Sequence, residues 1–177
     1  MIFAARAAIL ADALLDFLAA AIGRRPAVRS RRARWWTWLP GPWRRAHITL
    51  GWTLWSAEGT ADLSPARAVG LLAHEGTHWL QRHRHGRWGF AWRYALPWLR
   101  ATLEAEAYAV EAHAYDAAGG GDTDALIEQM GASMGGWLYL IGPGPHADCI
   151  RAHYACPDPD LRPWIGLVER AARATNP

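Results

Sequence analysis

The stretch Ala73-His74-Glu75-Gly76-Thr77-His78-Trp79-Leu80-Gln81 has the most specific chemical pattern in the sequence. On an α-helix, residues four positions apart lie one turn apart, about 6 Å along the axis, and leave the same face. His74 and His78 are therefore predicted to present two imidazoles side by side. Two such nitrogens suit a tetrahedral Zn²⁺ ion, and Glu75 between them can polarise a water bound to that ion. The spacing predicts a metal centre with His74 and His78 as ligands and Glu75 as the catalytic base.

The residues before this stretch predict that it lies on a helix. Ser64 suits the N-cap position and Pro65 the first helical position. We expect the helix to run from Pro65 to about His83, and a charged loop over 82–89 to end it. Gly76 disfavours a helix by about 1 kcal/mol relative to Ala, so its presence indicates that another element packs closely there. Apolar residues recur at helical spacing along the segment: Val69, Leu72, Ala73 and Leu80.

The chain after the motif is predicted to be mainly helical. Residues 90–118 have a helical pattern, and Pro97 is expected to kink that helix or divide it in two. A further helix is predicted over 122–141, with Asp122 or Thr123 as its cap, and a last one near 164–174.

The first 22 residues predict an amphipathic helix with one apolar face, formed by Leu14, Leu15, Leu18 and Ile22. Arg6, Asp12 and Asp16 interrupt the apolar run that a signal peptide needs. No segment reaches the apolar length of a membrane span. We therefore expect no transmembrane segment and a cytoplasmic location, while export that needs no signal peptide stays open.

A basic arm follows this helix. Residues 24–45 hold eight of the 19 basic residues, all of them Arg, and no acid. Pro residues favour an irregular conformation over 23–42. Arg interleaved with Trp is typical of contacts with nucleic acid or an acidic membrane, but it also fits Trp packed on the body with Arg solvated. We favour the second interpretation, because no nucleic-acid-binding motif accompanies the Trp residues of the arm: Trp35, Trp36, Trp38 and Trp43.

The two cysteines, Cys149 and Cys156, leave three interpretations open. They can pair across a short loop, stay reduced, or join His146 and His153 at a second metal. Their spacing fits no common zinc-finger pattern, which disfavours the metal interpretation.

A catalytic zinc site normally has three protein ligands and a water, so a third ligand is expected on a following helix. The acidic helical stretch 100–111 lies at the right place in the sequence. Glu104 shares one helical face with Tyr108, Glu111 and Tyr115, and Glu106 shares a neighbouring face with Val110 and His113. Spacing alone leaves both Glu104 and Glu106 as candidates.

At this point the chain resembles the gluzincins, zinc peptidases with HExxH on one helix and a Glu ligand on a second. Compact members have a second motif of Glu-x-x-Ala-Asp type, and residues 104–108 match it with Tyr108 in place of Asp. The resemblance covers about 45–115. It implies that Glu104, rather than Glu106, is the third zinc ligand. The Asp of the family supports the site, often through a motif His, and the Tyr108 hydroxyl is a candidate replacement.

The resemblance also implies an activity. Zinc held by His74, His78 and Glu104 would activate a water with Glu75 as general base, so that the chain would be a hydrolase that cleaves peptide bonds. A second donor to the oxyanion is usual, and the candidates are Tyr108, His113 and Tyr154. In such folds the strand before the motif helix lies along the substrate cleft. An edge strand near 48–54 could therefore bind an extended peptide substrate.

The expected fold class is α+β, predominantly helical, with a zincin-like core and a small β element over 45–57 before the motif helix. We expect a helix and arm at 1–44 and a metallopeptidase core at 45–177. Two other functions stay open. A zinc-binding protein without peptidase activity would use the site on a non-peptide substrate or structurally, with a fourth protein ligand such as His113 or Cys149. A nucleic-acid-associated protein would use residues 24–45.

Overall fold

The computed structural model describes residues 2–30, 48–56, 64–135 and 144–175. Most of these residues are helical, and a small sheet accompanies them, as expected for the α+β class. The helices are α1 (Ile2–Ile22), α2 (Pro65–Ala95), α3 (Pro97–Ala117), α4 (Thr123–Met134), α5 (His146–Ala155) and α6 (Arg162–Arg173). The strands are β1 (Ala27–Ser30), β2 (Ile48–Leu50) and β3 (Thr53–Ser56), and a 3₁₀ turn, Pro159–Leu161, leads into α6.

The sheet has β3 at its centre, with β1 parallel on one side and β2 antiparallel on the other. Gly51, with φ of +66°, supplies the left-handed residue in the turn between β2 and β3. The strands β2 and β3 lie within 45–57 and confirm the small β element predicted there. The expectation of an edge strand over 48–54 is wrong in part, because Thr53 and Leu54 lie in the central strand.

The irregular conformation predicted for 23–42 is wrong for Ala27–Ser30, which form β1. The partner of Ala27 is Thr53, far along the chain, and such a non-local pairing leaves no signal in the local composition. The Trp residues of the arm lie outside the described residues. The division of the chain at residue 44 stays a prediction.

Two apolar clusters share α3. The larger joins Leu14 and Leu18 of α1 to Leu72 of α2, Val110 of α3 and Trp164 of α6, all with at most 2% of their surface exposed. This cluster confirms the apolar face that was predicted for the first helix. The second cluster packs α3 against α4 and α5, and it contains Ala105, Ala109, Ala112, Ile127, Met130, Met134 and Ile150. Because α3 is buried from both sides, it is a fixed support for the side chains that it presents to α2.

Helix α2 begins as predicted, with the Ser64 hydroxyl accepting a hydrogen bond from the Arg67 amide at 3.4 Å. The loop predicted over 82–89 is wrong. These residues are helical apart from Gly86, whose φ of 69° and ψ of 165° redirect the chain within one residue. Arg is a good helix former, so the charged composition does not end the helix, whereas glycine adopts a positive φ without steric cost.

Pro97 divides the next helical segment, as expected. Leu96 is extended, and α3 begins at Pro97. The Asp122 carboxylate accepts a hydrogen bond from the Ala125 amide at 2.9 Å, which confirms Asp122 as the cap of α4. That helix ends at Met134 with Gly135 as its C-cap, so its predicted extent to 141 is wrong, while α6 confirms the last predicted helix. Among the described helices, none is long and apolar enough to cross a membrane.

Candidate metal centre

Two helices bring together the three predicted ligands. His74 and His78 lie on α2 and Glu104 on α3, and all three are buried. The Oε2 atom of Glu104 lies 3.5 Å from the Nε2 atom of His74 and 3.5 Å from that of His78. Bonds of about 2.0–2.1 Å to a tetrahedral zinc place neighbouring ligand atoms about 3.3 Å apart, close to these distances.

Within the described residues, the Oε2 atom of Glu104 is one of a few buried side-chain polar atoms without a hydrogen bond. It is fully buried and makes no hydrogen bond within the described part of the chain. A buried carboxylate oxygen without a donor is costly unless a cation is near it. The group His74, His78 and Glu104 can therefore hold a metal ion, and its donor set of two nitrogens and one oxygen suits zinc.

Glu111 orients the first ligand. Its Oε2 atom lies 3.1 Å from the Nδ1 atom of His74, so Nδ1 carries the proton and Nε2 is turned toward Glu104. A carboxylate that holds the outer nitrogen of a ligating histidine fixes the tautomer and makes the ligand more basic. Burial lowers the pKa of His74, but the hydrogen bonds and charges of Glu104 and Glu111 outweigh it and raise the pKa well above 6.5. Without an ion, a proton on His74 offsets the two carboxylates.

Gln81 orients the second ligand. Its Oε1 atom lies 2.8 Å from the Nδ1 atom of His78. Its Nε2 atom donates to the Leu103 carbonyl at 2.9 Å and to the Glu106 carboxylate at 2.7 Å. These two acceptors fix the amide orientation, so Oε1 must face His78 and accept its Nδ1 proton. The Nε2 atom of His78 is left for a metal.

Glu106 has a supporting role and lies outside the ligand group. Its carboxylate accepts hydrogen bonds from Gln81 and, at 2.9 Å, from the Arg84 guanidinium. Arg84 in turn is 2.6 Å from the Asp158 carboxylate. The structure therefore places Glu104, and not Glu106, beside the two histidines.

Tyr94 holds the third ligand. Its hydroxyl donates to the Oε1 atom of Glu104, and the Arg100 guanidinium lies 3.8 Å from the same oxygen. Burial raises the pKa of Glu104, but the charge of His78 and the close contacts with His78 and His74 outweigh it and lower the pKa well below 4.5. Glu104 is therefore an anion with one oxygen engaged and the other directed at the histidines.

The motif helix is packed from behind by α6. A Cβ atom at Gly76 would lie 2.4 Å from the Cζ2 atom of Trp164, which confirms the close packing expected at this glycine. The Trp164 indole donates to the Thr77 hydroxyl at 3.2 Å. This contact fixes the position of α2 relative to α6 at Thr77, which lies between the two histidines.

A cleft opens on the ligand side of α2. It has a volume of about 1260 Å³ and is lined by all three candidate ligands together with Glu75, Tyr108 and Gly51. The Tyr108 ring packs edge-on against His74, with centroids 4.5 Å apart. The predicted base, the motif histidines and the hairpin turn thus share one open space.

The other candidate donors lie elsewhere. The His113 ring stacks on Tyr154, and its two nitrogens lie 3.2 Å from the Glu169 carboxylate and 3.2 Å from the Tyr154 carbonyl. Neither residue lines the cleft. Cys149 and Cys156 are exposed free thiols, and no metal-binding group forms around them in the described chain.

The sequence analysis gave no role at the metal centre to four residues that support it: Gln81, Arg84, Tyr94 and Glu111. Gln81 follows His78 at the i, i+3 spacing of helical neighbours, and this spacing could have indicated it. Glu111 was placed on the face of Glu104, but without a role. Tyr94 reaches the site only because the chain turns at Gly86 and again at Leu96.

Comparisons with models of protein families, with curated proteins and with solved structures give no match to this chain. The resemblance to gluzincins stays a prediction that rests on the HExxH stretch and the motif at 104–108. The described geometry independently shows a buried group of two histidines and one glutamate, open to a cleft.

Proposed function

We propose that this chain is a zinc-dependent metallopeptidase of gluzincin type, with zinc held by His74, His78 and Glu104. One observation supports this most strongly. The Oε2 atom of Glu104 is equidistant, at 3.5 Å, from the two Nε2 atoms, while hydrogen bonds engage the outer atoms of all three side chains. The remaining lone pairs therefore converge on one point.

The number of ligands favours an enzyme over a structural zinc site. Structural sites close the tetrahedron with four protein ligands, whereas catalytic sites use three and leave one position open. The metal-binding group found in the described residues has three members and faces the cleft. His113 and Cys149, the candidates for a fourth ligand, have other surroundings.

Zinc bound at this group supplies a Lewis acid that lowers the pKa of water toward neutrality. Glu75 is the general base: it accepts a proton from the attacking water and delivers it to the leaving amine nitrogen. Only 8% of Glu75 is exposed, and it lines the cleft next to the ligand face. Tyr108 is the candidate among the three predicted donors that lies at the site, in contact with His74.

The substrate is a peptide that enters along the cleft. Gly51, in the turn between β2 and β3, lines the cleft, so the hairpin borders the space beside the ligands. Within the described residues, β2 is an edge strand. An extended peptide can pair with such an edge through its main chain.

The substitution Glu75→Gln tests this proposal. It keeps the shape of the side chain and removes the base, so hydrolysis of a peptide library should fall by about 10²- to 10⁴-fold while zinc content is unchanged. Glu128→Gln is the matched control, because Glu128 is exposed and pairs with Arg151 on α5. Zinc-loaded wild type that cleaves no peptide in the library would contradict the proposal and favour a zinc protein with another function.

A further inference from the structure

Three tryptophans are exposed close together on the chain. Trp88 is 78% exposed, and Trp92 and Trp98 are each 66% exposed. Soluble monomers rarely gather large exposed apolar side chains, and such patches mark contact sites. Among the described residues, the buried tryptophans are Trp79 and Trp164, each with at most 1% of its surface exposed. The exposed group is therefore a feature of this segment.

The exposed residues form one face of the last part of α2. Trp88, Ala91, Trp92 and Ala95 follow the i, i+3, i+4, i+7 pattern of one helical face, and all four are exposed. We name these four residues the outer face. Trp98, in the first turn of α3, is exposed a few residues further along the chain.

The opposite side of the same segment faces the candidate ligands. The rings of Phe90 and Tyr94 lie 6.3 Å and 5.8 Å from the His78 ring. Those inner positions account for the packing of the segment. Packing around the metal centre therefore does not explain why the Trp88 and Trp92 side chains of the outer face are exposed.

The charged side chains along this segment of the chain are uniformly positive. No Asp or Glu occurs between Glu75 and Glu104, while this interval holds five Arg residues. Arg87 and Arg93 are exposed and flank the outer face on its two sides. The Arg87 guanidinium lies over the Trp88 ring, 5.3 Å from its centroid.

We propose that the outer face, with Trp98, docks on the surface of an anionic lipid bilayer. Indole rings favour the boundary between headgroups and acyl chains, and Arg beside them is attracted to anionic headgroups. A short helix of this kind lies in the interface and does not span it. A symmetric contact with a second copy fits less well, because it would set Arg87 and Arg93 of both copies together without a carboxylate.

Docking would also place the cleft beside the bilayer. The cleft is also lined by Ala91 and Ala95 of the outer face and by Arg87, which flanks that face. A docked protein would therefore open its cleft near the headgroups. This inference rests on exposure and charge, and it stands or falls separately from peptidase activity.

Co-sedimentation of the full chain with vesicles tests the inference. One set of vesicles is phosphatidylcholine alone, and the other contains equal amounts of phosphatidylcholine and phosphatidylglycerol. Wild type should bind the anionic set, and binding should weaken as salt rises. The double variant Trp88→Ala/Trp92→Ala should bind at least about tenfold more weakly, because interfacial binding scales with the apolar area inserted. Arg87→Gln/Arg93→Gln should lose about tenfold or more on anionic vesicles only.

Two controls separate the outer face from general effects. Ile9→Ala removes an apolar side chain that is 68% exposed on α1, and Arg162→Gln/Arg170→Gln removes two exposed charges on α6. Both should bind vesicles as wild type does. Zinc content and circular dichroism of every variant check that the fold is retained.

Three results would overturn the inference. One is wild type that stays in the supernatant with anionic vesicles at low salt. Another is a Trp88→Ala/Trp92→Ala variant that binds as wild type does. The third is a wild type that does not bind vesicles but forms a lipid-free dimer, or a complex with a single-stranded oligonucleotide. Loss of that dimer or complex in Trp88→Ala/Trp92→Ala would assign the outer face to the other partner.

Discussion

The carboxylate of Glu111 lies 3.1 Å from the Nδ1 atom of His74, one helical turn beyond the Tyr108 ring that packs on the same imidazole. In the gluzincins that the chain resembles, an Asp at the position of Tyr108 supports the site. Here the carboxylate comes from Glu111, and Tyr108 contacts the ring instead. The two residues together hold His74 with its Nε2 atom toward Glu104.

Replacing Glu111 with Gln should weaken zinc binding by about 10- to 100-fold, because the outer nitrogen of His74 loses its charged acceptor. Competition with a chromophoric chelator measures this affinity. Glu128→Gln, on the surface of α4, serves as the control and should leave the affinity unchanged. Equal affinities for the Glu111 variant and wild type would mean that Glu111 does not support the metal centre.

Gln81 is expected to matter for stability as well as for metal binding. Gln81→Met keeps the length of the side chain but removes the hydrogen bonds that Gln81 makes to His78 and to the Leu103 carbonyl, while Glu106 keeps Arg84 as a partner. The zinc-free protein should lose about 1–3 kcal/mol of unfolding free energy per group left unsatisfied. Urea denaturation of the chelated protein measures this loss. An unfolding free energy equal to that of wild type would contradict the described network.

Gly76 and Gly70 offer a matched pair on α2. At Gly76 a Cβ atom would meet the buried Trp164 ring at 2.4 Å, whereas at Gly70 the nearest atom is the Glu111 Cγ atom at 4.0 Å. Gly76→Ala should destabilise the protein by about 1–3 kcal/mol, and Gly70→Ala should stabilise it by up to about 1 kcal/mol. Thermal unfolding of the two variants compares them. A stabilising Gly76→Ala would show that Trp164 does not pack where it is described.

The pH dependence of zinc stabilisation follows from the two shifted groups. In the zinc-free protein the raised pKa of His74 gives stability that is present below pH 6.5 and is lost as pH rises through the raised value. The lowered pKa of Glu104 gives stability that is present above pH 4.5 and is lost as pH falls through the lowered value. The zinc-free protein should therefore lose stability toward alkaline pH.

Zinc takes the place of the proton on His74, so its effect should have the opposite trend. The increase in melting temperature on adding zinc should grow from about pH 6 to about pH 9. At higher pH a smaller fraction of His74 carries the proton that zinc must displace. Differential scanning calorimetry with and without chelator measures it. In His74→Ala the increase should be small at every pH. A wild-type increase that shrinks over this range would contradict the described proton balance.

The ligand group was predictable because its signals are local. The i, i+4 spacing of His74 and His78 defines one helical face, and the Ser64-Pro65 pair marks where that helix begins. Glu104 needed the resemblance, since spacing left Glu106 equally suitable. Their contacts distinguish them in the structure, because the Oε2 atom of Glu104 lies 3.5 Å from both histidines whereas Arg84 and Gln81 engage Glu106.

The remainder depends on contacts between distant parts of the chain. The direction of the chain after Gly86 brings Tyr94 to Glu104, and a single positive φ angle sets that direction. Strand β1 forms only because β3 lies beside it. Neither relationship has a periodicity that can be read from neighbouring residues.

Zinc content tests the metal centre most directly, because the roles of Glu75, Gln81 and Glu111 all depend on the three-ligand group. Mass spectrometry should find about one zinc per chain in wild type supplied with zinc and then desalted. Glu104→Gln should lose most of that zinc, whereas Glu106→Gln, on the same helix, should retain it. Wild type that binds no zinc, or two variants that retain it equally, would contradict a centre formed by His74, His78 and Glu104.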